Sequence, residues 1–84
     1  MNYKVIIGER IHYERQKLGL TQKELGSQLG VSEQCLSGWE HGRNMPDVVS
    51  LQSMSRIFGI NIEDFLAEAY YTKKESAKKK LKLQ

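Results

Sequence analysis

The chain has 84 residues, 39% of them hydrophobic and 27% charged, with a formal charge of +3, so it has room for one small globular domain and none for a second. Its only cysteine, Cys35, excludes an intramolecular disulfide and a Cys-based metal site, which suits a reducing compartment. The longest apolar stretch, Val5-Ile6-Ile7, falls far short of the roughly 18 residues that span a bilayer, and no export signal is visible, so a cytoplasmic protein without membrane contact is expected.

The charge is unevenly placed. Residues 72–84 hold six lysines and one glutamate, a net +5, which leaves residues 1–71 at −2. The expected organisation is a folded domain over 1–71 and a Lys-rich tail over 72–84 that like-charge repulsion keeps disordered. Met1–Lys4 is expected to fray as well.

In chain order, the first helix is expected over 6–18, with Ile7, Ile11 and Leu18 at helical spacing. It ends at Gly19-Leu20-Thr21, the first of three strings in which a glycine, an apolar residue and a helix-capping residue follow one another; the others are Gly30-Val31-Ser32 and Gly59-Ile60-Asn61. The glycine can close one helix in the left-handed conformation. Thr, Ser or Asn can accept a hydrogen bond from a free N–H of the next helix, which stabilises it by typically ~1 kcal/mol. The apolar residue between them can pack on the residue five positions on: Leu20 on Leu25, Val31 on Leu36, Ile60 on Phe65. Thr21 with Glu24 also makes a capping box. These breaks predict helices over 22–29, 33–40, 48–58 and 62–70, the fourth starting after a loop that ends at Asp47. The core is expected from Leu25, Leu29, Leu36, Trp39, Val48, Leu51, Met54, Phe58, Phe65, Leu66 and Ala69. No segment keeps strand-like alternation, so the fold class is all-α, a compact five-helix bundle.

The stretch from Thr21 to Glu40 has the spacing of a tight helix-turn-helix, two short helices crossing closely through a short turn. Gly26 makes sense as the small residue at the crossing, because glycine inside a helix otherwise costs about 0.5–1 kcal/mol relative to alanine. Leu25, Leu29, Val31, Leu36 and Trp39 close the joint on its buried side. Glu33, Gln34, Ser37 and His41 form the opposite, polar side. Trp39 reads as core and Cys35 as a half-buried packing residue, with a redox role the lesser alternative. His12 and His41 read as solvated surface residues without metal partners. Tyr70 and Tyr71 either seal the core or form a dimer contact.

The ordered set Ile7-Gly8-Glu9-Arg10-Ile11, Gly19-Leu20-Thr21-Gln22, Glu24-Leu25, Leu29-Gly30-Val31-Ser32, Leu36-Ser37, Trp39-Glu40-His41-Gly42, Pro46 and Phe58-Gly59-Ile60 resembles the lambda-repressor-like, Xre or Cro/C1 type, DNA-binding domains over residues 7 to about 67. The resemblance implies a lambda-repressor-like bundle and a regulator that binds double-stranded DNA, most naturally as a homodimer on two half-sites. It implies that Gln22 holds a backbone phosphate at the start of the second helix, and that Ser32, Glu33, Gln34 and Ser37 look into the major groove. Gln34 could then pair with adenine and Glu33 accept from cytosine N4. Arg43 and Asn44 look like phosphate contacts, and Lys23 joins the candidate DNA-binding set. Arg15 and Glu40 resemble a pair that joins the first and third helices, so a structural ion pair is expected.

Gly38 departs from the resemblance, since many relatives carry a longer readout side chain there, and glycine reads nothing. The −2 balance of residues 1–71 and Glu33 on the reading side leave an alternative open, a protein-interaction adaptor or antitoxin-like partner on the same fold. A docking face would be expected to gather Arg10, Lys17, Lys23 and Arg43. No phosphate-cradling glycine loop, activated nucleophile or metal cluster is visible, so neither an enzyme nor a cofactor binder is expected.

Overall fold

A computed structural model describes residues 2–67; the lysine-rich segment, Tyr70 and Tyr71 lie outside the described residues, as do Met1 and Ala69. Five helices follow one another: α1 Tyr3–Lys17, α2 Gln22–Leu29, α3 Glu33–Glu40, α4 Val48–Phe58 and α5 Ile62–Leu66. No strand occurs among the described residues.

Each helix begins at a side chain that accepts a first-turn N–H: Asn2 from Lys4, Thr21 from Glu24, Ser32 from Cys35, Asp47 from Ser50 and Asn61 from Asp64. The Thr21 capping box is complete, the Glu24 carboxylate accepting from the Thr21 N–H at 2.9 Å. Gly19, Gly30 and Gly59 take positive φ at the three expected breaks.

Two ends differ from expectation. The first helix starts at Tyr3 rather than residue 6, because Asn2 caps it and adds a turn where fraying was expected. The last stops at Leu66 rather than residue 70, with Ala67 extended at φ −79° and ψ 129°. The carbonyl of Phe65, which a continuing helix would use for its own ladder, instead accepts a hydrogen bond from Arg10 Nη1 at 3.0 Å.

The core consists of Ile7 and Ile11 from α1, Leu25 from α2, Leu36 and Trp39 from α3, Leu51, Met54 and Phe58 from α4, and Phe65 from α5. Leu20, Val31 and Ile60, the apolar residues of the three turn strings, pack half-buried against it, as do Leu29 and Cys35. Phe58 and Phe65 meet edge to face at 5.7 Å and join the last two helices. Val48 and Leu66, expected in the core, lie outside it, and so does Leu18 of the first helix's apolar repeat. Leu18 is exposed at the C-terminal end of α1, Val48 precedes the buried Ser50-Leu51-Met54-Phe58 stripe of α4, and Leu66 falls on the outer side of the short α5.

Candidate nucleic-acid interface

Gly26 and Gly8 set how closely the helices approach. A Cβ on Gly26 would stand 2.8 Å from the carbonyl oxygen of Val31, so α2 reaches the turn before α3 only with glycine there. A Cβ on Gly8 would collide with the carbonyl oxygens of Trp39 and Glu40, so α1 crosses the end of α3 backbone to backbone. Gly26 was read correctly from its unfavourable place in a helix. The same signal was present at Gly8 and was missed.

Around this crossing lies a buried polar cluster. Arg15 Nε donates to Glu40 Oε2 at 2.7 Å and Nη2 donates to Oε1 at 3.0 Å, which bears out the expected α1–α3 ion pair. Arg15 Nη1 also donates to the Leu20 carbonyl at 2.7 Å, so one guanidinium holds the ends of α1 and α3 together with the turn before α2. Burial would raise the Glu40 carboxyl. Hydrogen bonds from Arg15, then His12 and Gln22, together with the charge of Arg15, outweigh it and hold the group below the usual carboxylate range. His12, expected as a solvated residue, is exposed but bonded, its Nδ1 lying 2.9 Å from Glu40 Oε1. His41 is also engaged, its Nδ1 lying 2.7 Å from the Ser37 carbonyl oxygen.

Gln22 donates from Nε2 to Glu40 Oε1 at 3.3 Å, so the first side chain of α2 is oriented by the last residue of α3. Ser32 is the N-cap of α3, its Oγ accepting from the Cys35 N–H at 3.0 Å. Glu33 and Gln34 are exposed, and among the described residues their side chains take no hydrogen bond. Ser37 is half-buried with its hydroxyl 3.3 Å from His41 Nδ1. Lys23 and Arg43 are exposed and enter no ion pair among the described residues. Asn44 is exposed in the loop after α3, against Gly38. Leu36 and Trp39 face the core while Glu33 and Gln34 face outward, so α3 is amphipathic, with its polar side at its capped N-terminal end.

The expected positive face loses one member. Arg10 is only 7% exposed and is spent on the Phe65 carbonyl, and Lys17 lies 3.8 Å from Glu14. Lys23 and Arg43 remain at the surface, on either side of α3 in sequence.

Two short helices crossing at a glycine, the second presenting a capped and polar outer face, define a helix-turn-helix module. Residues 11–65 match the family model described as helix-turn-helix, and the chain belongs to that family, in its lambda-repressor-like (Xre) branch. The HTH-type transcriptional activator BcrR of Enterococcus faecalis is 36% identical over 59 residues, 70% of this chain and 29% of BcrR. Among solved structures, the c2 repressor of Salmonella phage P22 in complex with a synthetic operator gives a TM-score of 0.66 at 34% identity, over 74% of this chain and 92% of that one. The clp gene regulator ClgR from Corynebacterium glutamicum gives 0.74 at 28% identity, over 94% and 85%. The chain spans 29–45% of the length of three curated relatives that it matches. No helix among the described residues is long and apolar enough to cross a membrane.

Proposed function

We propose that this protein is a sequence-specific DNA-binding transcriptional regulator that reads the major groove with the N-terminal half of α3. The observation that carries this reading is the outer face of α3, where Glu33 and Gln34 stand exposed and without a hydrogen bond among the described residues, beyond a helix end capped by Ser32. A carboxamide and a carboxylate in that setting match base edges: Gln34 pairs with adenine N6 and N7, and Glu33 accepts from cytosine N4. Gln22, oriented by Glu40, keeps a second N–H for a phosphate oxygen, while Lys23 and Arg43 neutralise phosphates beside the groove. Ser32 and Ser37 complete the face. Similarity to the P22 c2 repressor, solved with an operator, supports this assignment.

The regulator acts as a homodimer on two half-sites about one helical turn apart, because a single α3 contacts too few base pairs for a genomic address. The deciding experiment is binding selection on randomised duplexes at fixed salt. Enrichment of a palindromic or repeated motif is expected; enrichment of nothing above non-specific binding would rule the reading out.

The second reading, a protein-interaction adaptor on the same fold, is favoured by the −2 balance of residues 1–71 and by the Glu33 carboxylate on the outer face. Removing residues 72–84 separates the two. DNA affinity and its salt dependence that both vanish with the lysines would mean that the folded part contributes little, and a protein partner would then be sought.

A further inference from the structure

We propose that His12 is a positioning residue for Gln22: by competing for one oxygen of Glu40, its imidazole sets how firmly Gln22 is held for a phosphate, and makes that contact depend on pH. The inference rests on the DNA-binding reading above.

Side chains from α1 and α2 crowd onto Glu40 Oε1 at the end of α3. Arg15 Nη2 donates to this oxygen at 3.0 Å, Gln22 Nε2 donates at 3.3 Å, and His12 Nδ1 lies 2.9 Å away. Arg15 Nε takes the other oxygen, Oε2, at 2.7 Å. A carboxylate oxygen offers about two lone-pair sites. Three donors exceed that, and Gln22, whose contact is the longest, gives way first.

The proton on the imidazole decides whether there are three donors. His12 Nδ1 lies between Glu40 Oε1, which as a carboxylate oxygen only accepts, and Arg15 Nη2, 3.1 Å away, which only donates. One ring nitrogen cannot serve both at once. A neutral ring with its proton on Nε2 accepts from Arg15 and leaves Oε1 to Arg15 and Gln22. The charged ring carries a proton on each nitrogen, so Nδ1 donates to Oε1 and displaces Gln22.

The surroundings let the ring titrate. Histidine changes charge between about pH 5 and 8, and the His12 side chain is 54% exposed, so protons reach it from solvent. On α1, Glu9 stands one turn before His12 and Arg15 one turn after it; α3 brings Glu40, and α2 brings the neutral Gln22 with Lys23 next in sequence. His41, beside Glu40 in sequence, has its own Nδ1 at the Ser37 carbonyl oxygen. Glu40, held below the usual carboxylate range, stays ionised as His12 titrates. Gln22 opens α2, and once released from Glu40 its amide has to be ordered again to meet a phosphate, at a cost in side-chain entropy.

The test uses the full chain and the duplex recovered by selection at fixed salt. Binding of wild type and Gln22→Ala, each with and without His12→Ala, is measured from about pH 8 to about pH 5.5, with far-UV circular dichroism to check folding. The ratio of the Gln22→Ala Kd to the wild-type Kd is expected to fall by about 2-fold to 10-fold across that range, the worth of one hydrogen bond. With His12→Ala in both proteins, the ratio should keep its high-pH value. Attraction of the charged imidazole to DNA as a whole is common to both proteins and cancels from the ratio. A second readout needs no DNA: in a nitrogen–proton correlation spectrum, the Gln22 side-chain amide signals should titrate with the His12 ring and stand still in His12→Ala. A ratio that is constant with pH, or that changes equally without His12, overturns the inference, and so do amide signals that ignore the His12 titration. Failure of the wild type to enrich any motif overturns the DNA-binding reading itself, while the amide titration still decides whether His12 and Gln22 compete for Glu40.

Discussion

Arg15 and Glu40, 25 residues apart in sequence, are joined by two parallel hydrogen bonds of 2.7 and 3.0 Å, with side chains 9% and 3% exposed. The pair fastens α1 to the end of α3, and the same carboxylate orients Gln22 at the start of α2. The pair thus helps to fix α3 against its neighbours, beside the close crossings at Gly8 and Gly26 and the core contacts of Leu36 and Trp39. Removing one partner leaves the other charge without its counterion inside the protein. Arg15→Met is expected to destabilise the fold by about 3 kcal/mol or more, whereas Arg15→Met with Glu40→Leu should recover part of that loss. Denaturant unfolding of the two variants beside wild type checks this; equal stability of single and double variants would contradict it.

Acid should weaken the fold through Glu40. Its folded-state pKa lies below the unfolded value, so its stabilisation is complete above the unfolded pKa, about 4.3, and is lost as pH falls through the folded value. Glu24, bonded to the backbone N–H and then the hydroxyl of Thr21, and Asp47, bonded by Ser50, are lowered as well and act in the same direction. Unfolding free energy from these groups is expected to hold steady from pH 7 to about 5 and to drop below it. Glu40→Gln should flatten part of that drop, which a denaturation series across pH 3 to 7 would read.

Substitutions at three helix-interior glycines separate tight packing from helix propensity. Alanine gains about 0.5–1 kcal/mol over glycine in a helix. At Gly26 that gain is opposed by a backbone oxygen 2.8 Å from the new methyl, and at Gly8 by two backbone carbonyls, so Gly8→Ala and Gly26→Ala are both expected to lower the melting temperature. At Gly38 the methyl meets only the end of the Asn44 side chain at ordinary contact distance, so Gly38→Ala should raise or preserve it. Thermal unfolding of all three would show whether the α1–α3 and α2–α3 crossings are as close as described.

On DNA, Gln34→Ala and Gln22→Ala should behave differently. Loss of Gln34 removes a base contact and relaxes preference at one position per half-site, by about 1–3 kcal/mol of discrimination. Loss of Gln22 removes a backbone contact and should weaken all sequences alike. Competition binding with matched and singly mismatched duplexes at one salt concentration reads the contrast, and a uniform effect of Gln34→Ala would argue against direct readout by that residue.

The helix boundaries inside the module were legible because local chemistry sets them. Gly30, Val31 and Ser32 close one helix, pack on Leu36 and cap the next within three residues, and none of this needs a distant partner. The buried side of α3 followed from the spacing of Leu36 and Trp39. The ends that were misplaced depend on contacts that periodicity does not carry. Asn2 extends α1 from outside its apolar repeat, and Arg10, counted among the surface cations, turns inward to take the Phe65 carbonyl 55 residues away.

The helix-turn-helix was thus determined by the sequence alone, through caps, turn glycines and a 3.6-residue apolar period that act over a few residues. Only the tertiary structure decided which polar side chains the module leaves available. His12 and Gln22 converge on Glu40, Arg10 is buried, and Asn44 fills the space that Gly38 leaves, because each of these depends on where a second helix or loop brings its own donors and acceptors.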